Sequence, residues 1–250
     1  MSKQRQQQFF NGAFGENTRR SVGKFYSITK AVHSFYCEYL CAHVAGKRIL
    51  EYGCGNGSLA FFIGQQGARE VIDIDISEVG IEQAIQQAHE LKLDNVTFSV
   101  MDAEAMDFED NSFDVICGSG ILHHLDVKVA LSEIARVLAP DGRAIFIEPV
   151  GYNPAINLFR RLTPQFRVED EHPLKWADFS LISHHFGYVD HHFYYLFTLL
   201  AVPFHRVPIH SALVAFLNFI DQMLFNVIPG LKFLAWQVVL VAERPLKNYG

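Results

Sequence analysis

Between Lys47 and Pro149 the chain repeats one pattern: a short apolar run, a turn, then a longer amphipathic stretch. KRILEYG, REVIDIDIS, NVTFSVMDA, SFDVICGSG and RAIFIEP read as strands, because β-branched and aromatic residues crowd them and turn-forming residues close them. SLAFFIGQQG, EVGIEQAIQQAHELK and DVKVALSEIARVL carry apolar residues at helical spacing between those strands. Strands that are apolar on both faces need a helical layer on each side. This predicts an α/β fold, a doubly wound Rossmann-like sheet with right-handed crossovers. It also places any ligand beyond the C-terminal ends of the strands.

The flanks read differently. Residues 1–20 are polar and Gln-rich, with a frayed start expected, and Ser21–Val44 carries aromatic and apolar residues at helical spacing. Together, 1–44 is a helical cap ahead of a core at 45–150. After Pro149, prolines, the pair RR and the acidic cluster EDE suggest an irregular insertion or lid over 150–175. WADFSLISHHFG then reads as a short helix, YVDHHFYYLFTLL as a sixth strand and AWQVVLVAERP as a seventh. An apolar helical region, 209–228, lies between those two strands. Residues 151–250 are thus an apolar lid plus the last two strands of the same domain.

Half of the 250 residues are hydrophobic and 19% are charged, which suits a packed core and excludes a disordered chain. The net charge of −6 and the lack of a basic stripe argue against a nucleic-acid partner. The start MSKQRQQQFF lacks the apolar core of a signal peptide, and Cys37, Cys41, Cys54 and Cys117 form no CxxC pair. Four reduced, mostly buried thiols in a cytoplasmic protein are expected. FYYLFTLLAVPF, 193–204, stops at Pro203 and is too short to span a bilayer. Peripheral membrane contact through 193–235 is a separate question and stays open.

Three strand ends carry chemistry. Behind the first strand, Gly53, Gly55 and Gly57 are spaced GxGxG, with Cys54 inside the loop. The two-residue gap of the dinucleotide fingerprint GxGxxG is missing, so nothing here cradles a pyrophosphate. Asp75 closes the second strand, 20 positions after Gly55, where a carboxylate can accept from both hydroxyls of a ribose. Asp73 is its rival, two residues earlier. At the end of the third strand, Asp102 can accept an adenine amine while Ala103 supplies a backbone N–H; alone, it would read as a turn aspartate. Together the three ends point to adenosine without a phosphate chain.

ILEYGCGNG, VIDIDIS, MDAEAMDF, FDVICGSGILHHL and ARVLAPDGRAIFIEP together resemble the class I S-adenosylmethionine-dependent methyltransferases, in the small-molecule branch typified by ubiquinone and menaquinone biosynthesis. The resemblance is strong over roughly 45–150. It implies a seven-stranded sheet, mostly parallel with an antiparallel last strand, and S-adenosylmethionine as cofactor. It further implies that loop 51–57 holds the methionine half, with Glu51 helping to bind the ammonium. Asp75 with the adjoining Ile76 would hold the ribose, Asp102 and Ala103 the adenine, and Gly118 and Ser119 would line the sulfonium. The family's PGG turn is PDG here. Tyr26 or Phe25, in KFY, is a candidate for closure over the cofactor; core packing on an amphipathic helix explains them equally well.

Methyl transfer needs the acceptor held in line and, for a hydroxyl or an acidic carbon, a base. His123 and His124 follow the fourth strand beside the expected methyl, and adjacent residues are expected to diverge, one facing the pocket. His124 is preferred as base. Glu148, ending the fifth strand at the same rim, orients a histidine, accepts a substrate proton itself, or is a solvated strand-end acid. His172, with Glu171, is a second-rank candidate in the lid, and Asp126 reads as a helix cap. The pairs His184–His185 and His191–His192 lack companion ligands, so no metal is expected. The aromatic C-terminal third suggests a hydrophobic small-molecule acceptor. O-methylation of a hydroxyl or carboxyl is the first reading, C-methylation of a quinone, an aromatic ring or a lipid the second. A non-catalytic cofactor-binding protein is the third.

Overall fold

The computed structural model describes residues 3–15, 23–53, 58–164 and 171–247. Seven strands form one sheet in the order β3-β2-β1-β4-β5-β7-β6. β1 (Arg48–Tyr52), β2 (Glu70–Asp75), β3 (Val96–Val100), β4 (Phe113–Ser119) and β5 (Leu138–Pro149) pair in parallel. β7 (Gln237–Pro245) runs antiparallel to β5 and to β6 (Phe186–Tyr194), as expected for the last strand.

Alternation along each strand splits the core into two layers. Leu50 and Tyr52 of β1 face one cluster with Ile116 and Phe146, while Ile49 faces the other with Val71, Val115 and Cys117. Helices cover both faces, their starts set by local chemistry. Ser77 caps α5 (Glu78–Leu91) by accepting from the Gly80 N–H at 3.1 Å. Asp126 caps α6 (Val127–Val137), as expected, accepting from Lys128 and Val129 at 3.0 and 3.3 Å. α3 (Lys30–His43) and α4 (Ser58–Gln65) complete the layers flanking β1.

Several expectations are corrected. The Gln-rich start is not frayed over its length: Lys3–Gly15 forms helix α1, followed by the single turn α2 (Gly23–Tyr26). The lid is not wholly irregular, because Pro154 stands at the first turn of α7 (Pro154–Leu162) and Asn153 caps it by accepting from Ile156 at 3.0 Å. Ala139–Gly142 bulge within β5, so that Leu138 pairs with Phe113 but Arg143 with Val115; PDG is not a turn ahead of the strand. β6 ends at Tyr194, and Phe197–Phe204 is a 3-10 helix followed by α9 (His210–Val227). WADFSLISHH does form a helix, α8 (Trp176–His185). Of the described cysteines only Cys117 is buried, and Cys41 is exposed.

Candidate active site

From β1 the chain winds outward through β2 to β3, then returns to lay β4 on the other side of β1. The C-terminal ends of β1 and β4 therefore bound a crevice at the switch point. Gly53 makes the exit from β1: its φ is +77°, and a Cβ there would meet Ile121 at 2.6 Å. Gly118 is buried at the end of β4, where a Cβ would meet the Tyr52 carbonyl oxygen at 2.8 Å, and Ser119 beyond it is exposed. Cys54, Gly55 and Gly57 lie outside the described residues.

Carboxyl groups stand at successive strand ends. Glu51 is 4% exposed and lies opposite Asp73 in the β1–β2 ladder. Burial first, then the Asp73 charge and a hydrogen bond to Asp73, hold its pKa well above the ordinary carboxyl range. Glu51 Oε2 is nevertheless buried without a hydrogen-bond partner among the described residues. A cationic ligand group would satisfy that oxygen and offset the Asp73 repulsion. Asp75 Oδ1 accepts from the Ser77 N–H at 2.8 Å, which fixes the carboxylate at the rim; Ile76 beside it is half-buried. Asp102 Oδ1 accepts from the Glu104 N–H at 2.9 Å, and the Ala103 carbonyl accepts from the Tyr52 hydroxyl. These residues fit S-adenosylmethionine on chemistry as well as on place: a buried acid with one unsatisfied oxygen for an ammonium, then acceptors for hydroxyls and an amine.

The opposite lip of the crevice holds a His–Glu pair. Glu148 is fully buried, so it is no solvated strand-end acid. Its Oε1 accepts from the Ile121 and Leu122 N–H groups at 2.9 and 2.7 Å, and its Oε2 lies 2.7 Å from His123 Nδ1. A Glu148 carboxylate has only acceptors to offer, so in the tautomer that pairs with it His123 donates through Nδ1 and the neutral ring keeps Nε2 as an acceptor. His123 and His124 do not diverge as expected. The tight 3-10 turn Leu122–His124 lets the rings lie side by side, centroids 4.0 Å apart. His172 is half-buried and reaches this lip through its backbone, donating to the His123 carbonyl at 2.9 Å.

Glu171, His123 and His124 each bring one ligand-type atom within 4.8 Å of the others, a cluster of three possible metal donors. Glu171 is already paired with Arg160 at 2.6 Å, and His123 with Glu148, so protein partners satisfy much of this set. His184 and His185 turn back onto carbonyls of their own helix, and His192 lies 3.2 Å from Asp190. Tyr26 makes no ring contact among the described residues. It is 54% exposed on α2, while Phe25 packs on Phe159 and Trp236.

α1 covers the ends of β2 and β3. Asn11 Oδ1 accepts from Ser77 Oγ at 2.6 Å, Lys3 Nζ lies 3.0 Å from Asp102 and 2.8 Å from Glu104, and Phe10 packs edge-on against His124. Sequence reasoning passed over these residues because glutamines dominate the segment. The available signal was the FF pair at 9–10 with Ala13 and Phe14 one turn on, apolar residues behind a polar start. Tyr36, one of the aromatic residues at helical spacing in Ser21–Val44, is buried, and its hydroxyl donates to the Gly118 carbonyl at 3.1 Å and supports the end of β4.

Comparison with known proteins agrees with this geometry. The family described as "Methyltransferase domain" matches residues 50–146. Aklanonic acid methyltransferase of Streptomyces sp. (strain C5) is 36% identical over 148 residues, 56% of this chain and 66% of that protein. Ubiquinone biosynthesis O-methyltransferase of Alkalilimnicola ehrlichii is 31% identical over 125 residues, half of each chain. The chain thus spans one half to about two thirds of the length of these relatives. Geranyl diphosphate C-methyltransferase from Streptomyces coelicolor, solved with Mg2+, geranyl diphosphate and S-adenosyl-L-homocysteine, shares the fold. It has a TM-score of 0.60 and 17% identity over 85% of this chain and 80% of its own. The strand order, the antiparallel β7, the acidic strand ends and the matched domain together make this chain a member of the class I S-adenosylmethionine-dependent methyltransferases.

Proposed function

We propose that the protein transfers a methyl group from S-adenosylmethionine to a hydroxyl or carboxyl of a hydrophobic small molecule, with His123 as the base. The observation that carries this reading is the Glu148–His123 pair at 2.7 Å, which leaves Nε2 able to take a proton beside the switch-point crevice. The cofactor supplies an activated methyl on a sulfonium. The protein's own residues do the rest. Glu51 takes the ammonium, Asp75 the ribose, and Asp102 with Ala103 the adenine. Gly118 and Ser119 leave room at the end of β4, and His123 removes the acceptor proton as the new bond forms. His124 and His172 line the same lip and orient the acceptor.

A hydrophobic acceptor is supported by the aromatic residues gathered between β6 and β7 and by relatives whose names include quinone-biosynthesis enzymes. C-methylation is the second reading, favoured by the relative named ubiquinone/menaquinone biosynthesis C-methyltransferase of Allorhizobium ampelinum, 38% identical over 109 residues. The test is incubation with methyl-labelled cofactor and a lipid extract, followed by identification of labelled products. A base-labile ester or an ether supports O-methylation, and ring label supports the second reading. Binding of the cofactor with no labelled product from any extract would leave only a cofactor-binding protein.

A further inference from the structure

β6 runs parallel to β1–β5 and β7 runs against them, so Tyr194, where β6 ends, and Gln237, where β7 begins, are paired at the C-terminal rim. Everything between them, residues 195–236, emerges at the rim that carries the candidate site. Glu148 itself pairs with Val238, next to that exit.

The outward surface of this segment is apolar. Ten of the 21 large hydrophobic residues exposed on the described protein fall between Phe197 and Ile228, so the exposure is concentrated rather than scattered. On α9 the stripe Phe216, Phe219, Met223 and Val227 recurs at helical spacing and is 46–73% exposed, while Asp221 and Phe225 on the other face are buried. An ordinary surface helix has the reverse arrangement. Leu200, Phe204 and Ile209 continue the patch through the 3-10 helix and the turn that follows, at 49–67% exposure.

The patch is built rigidly. Asp221, fully buried, accepts hydrogen bonds from the Leu196, Phe197 and Thr198 N–H groups and from the Thr198 hydroxyl, at 2.6–3.1 Å. It thereby ties α9 to the start of the 3-10 helix. Asp221 is also the sole acid between Leu196 and Ala235, so the outer surface of the segment bears no carboxylate. Its charged groups are Arg206 and Lys232, with His205 and His210 beside them, on a chain whose net charge is −6. No described helix is long and apolar enough to cross a membrane.

We infer that residues 196–235 seat the protein on the surface of a lipid bilayer, with the α9 stripe and the 3-10 helix in the interface and Arg206 and Lys232 at the headgroups. The occupant is a bilayer rather than a protein partner because the apolar patch is wide and its segment exposes cationic groups but no carboxylate. Its only charges are complementary to anionic lipid. The seat brings the rim of the site to the membrane, so a lipophilic acceptor reaches His123 without crossing water. This deepens the proposed function and rests on it for purpose only.

The test is flotation of the full chain with phosphatidylcholine vesicles, with and without phosphatidylglycerol, in the absence of cofactor and acceptor. The protein should float with the vesicles, more so with phosphatidylglycerol. Phe216→Asp with Phe219→Asp should lower partitioning at least about tenfold, and Arg206→Glu with Lys232→Glu should remove the preference for anionic lipid. Because the two phenylalanines are exposed, unchanged S-adenosylmethionine binding by calorimetry certifies the fold of that variant. Wild type remaining wholly in the supernatant, or the Phe pair floating like wild type, overturns the inference. So does a dimer in sedimentation that the Phe pair dissociates, since a second copy would then cover the face. Vesicle binding without any labelled product would instead sink the methyltransferase reading and leave the seat standing.

Discussion

Glu148→Gln tests whether the buried acid acts through His123. The change preserves shape but converts one acceptor oxygen into an NH2 group. Two backbone N–H groups converge on Oε1 at 2.9 and 2.7 Å, so the amide oxygen stays with them. The reverse orientation would strand two buried donors, at about 1–3 kcal/mol each. The NH2 group therefore faces His123 Nδ1. That nitrogen can no longer donate, its proton moves to Nε2, and the nitrogen that should accept a proton from substrate now carries one. Loss of general-base catalysis costs about 10²–10⁴ in kcat.

Stability should change far less. Each charge-assisted hydrogen bond weakens to a neutral one, by about 1 kcal/mol, and relief from burying a charge offsets part of this. A net loss of about 1–2 kcal/mol follows, visible as a modest fall in Tm. The assay is kcat at saturating cofactor on the acceptor found above, beside nitrogen NMR of the His123 ring to read the tautomer. Rates within about threefold of wild type, with the proton shown to sit on Nε2, would refute the base assignment. A collapse of kcat with cofactor affinity unchanged is the expected result.

Glu51→Gln should weaken S-adenosylmethionine about 10–100-fold by calorimetry, the worth of a hydrogen bond to a charged group. The apo protein should be as stable as wild type or more so at neutral pH, because the variant no longer faces Asp73 with a second buried acid. In the wild type, the Glu51 pKa is raised in the folded state, so its contribution to stability is complete below the unfolded-state value of about 4.3 and is lost as pH rises through the folded value. Cofactor affinity should rise over that same window, with proton release detectable in buffers of different ionisation enthalpy; pH-independent binding would contradict the ammonium role. Lys3→Ala frees Asp102 of a half-exposed ion pair, and cofactor affinity should rise by no more than about fivefold; a decrease would mean that Lys3 assists binding. Asp221→Ala strands three backbone donors and should cost about 3 kcal/mol or more in a thermal melt; an unchanged Tm would show that the 3-10 helix is not anchored through this residue.

The sheet was legible because its signal is local. Each strand carries its own apolar pattern, and the parallel arrangement follows from burial on both faces, so local pattern alone sets Asp75 and Asp102 at strand ends. The Glu148–His123 pair was legible only in part: Glu148 could be named as an acid that orients a histidine, but not which of the two it holds. Its members stand 25 residues apart, and only the register of β4 against β5 brings the end of one strand to the loop of the other. The preference for His124 rested on the idea that neighbours diverge, which holds in a regular strand and fails in a 3-10 turn. α1 was missed for a different reason: its composition is polar, and its position depends on contacts such as Asn11 with Ser77 and Phe10 with His124, which no local pattern encodes. The bulge at Ala139–Gly142 was hidden likewise, since PDG has the chemistry of an ordinary turn.

The strand order gives the two covers of the site separate tasks. α1 lies over the ends of β2 and β3 and meets them with polar groups, Asn11 on Ser77 and Lys3 on Asp102. Residues 195–236 approach from the far side, where β7 and β6 follow β5, and present apolar side chains. On the proposed reading, a charged, water-borne cofactor and a lipophilic acceptor want opposite surroundings, and a single uniform lid would disfavour one of them. With the order β3-β2-β1-β4-β5-β7-β6, the polar cover lies on one side of the β1–β4 crevice and the apolar cover on the other. His123 stands between them, at the place where the two reactants would have to meet.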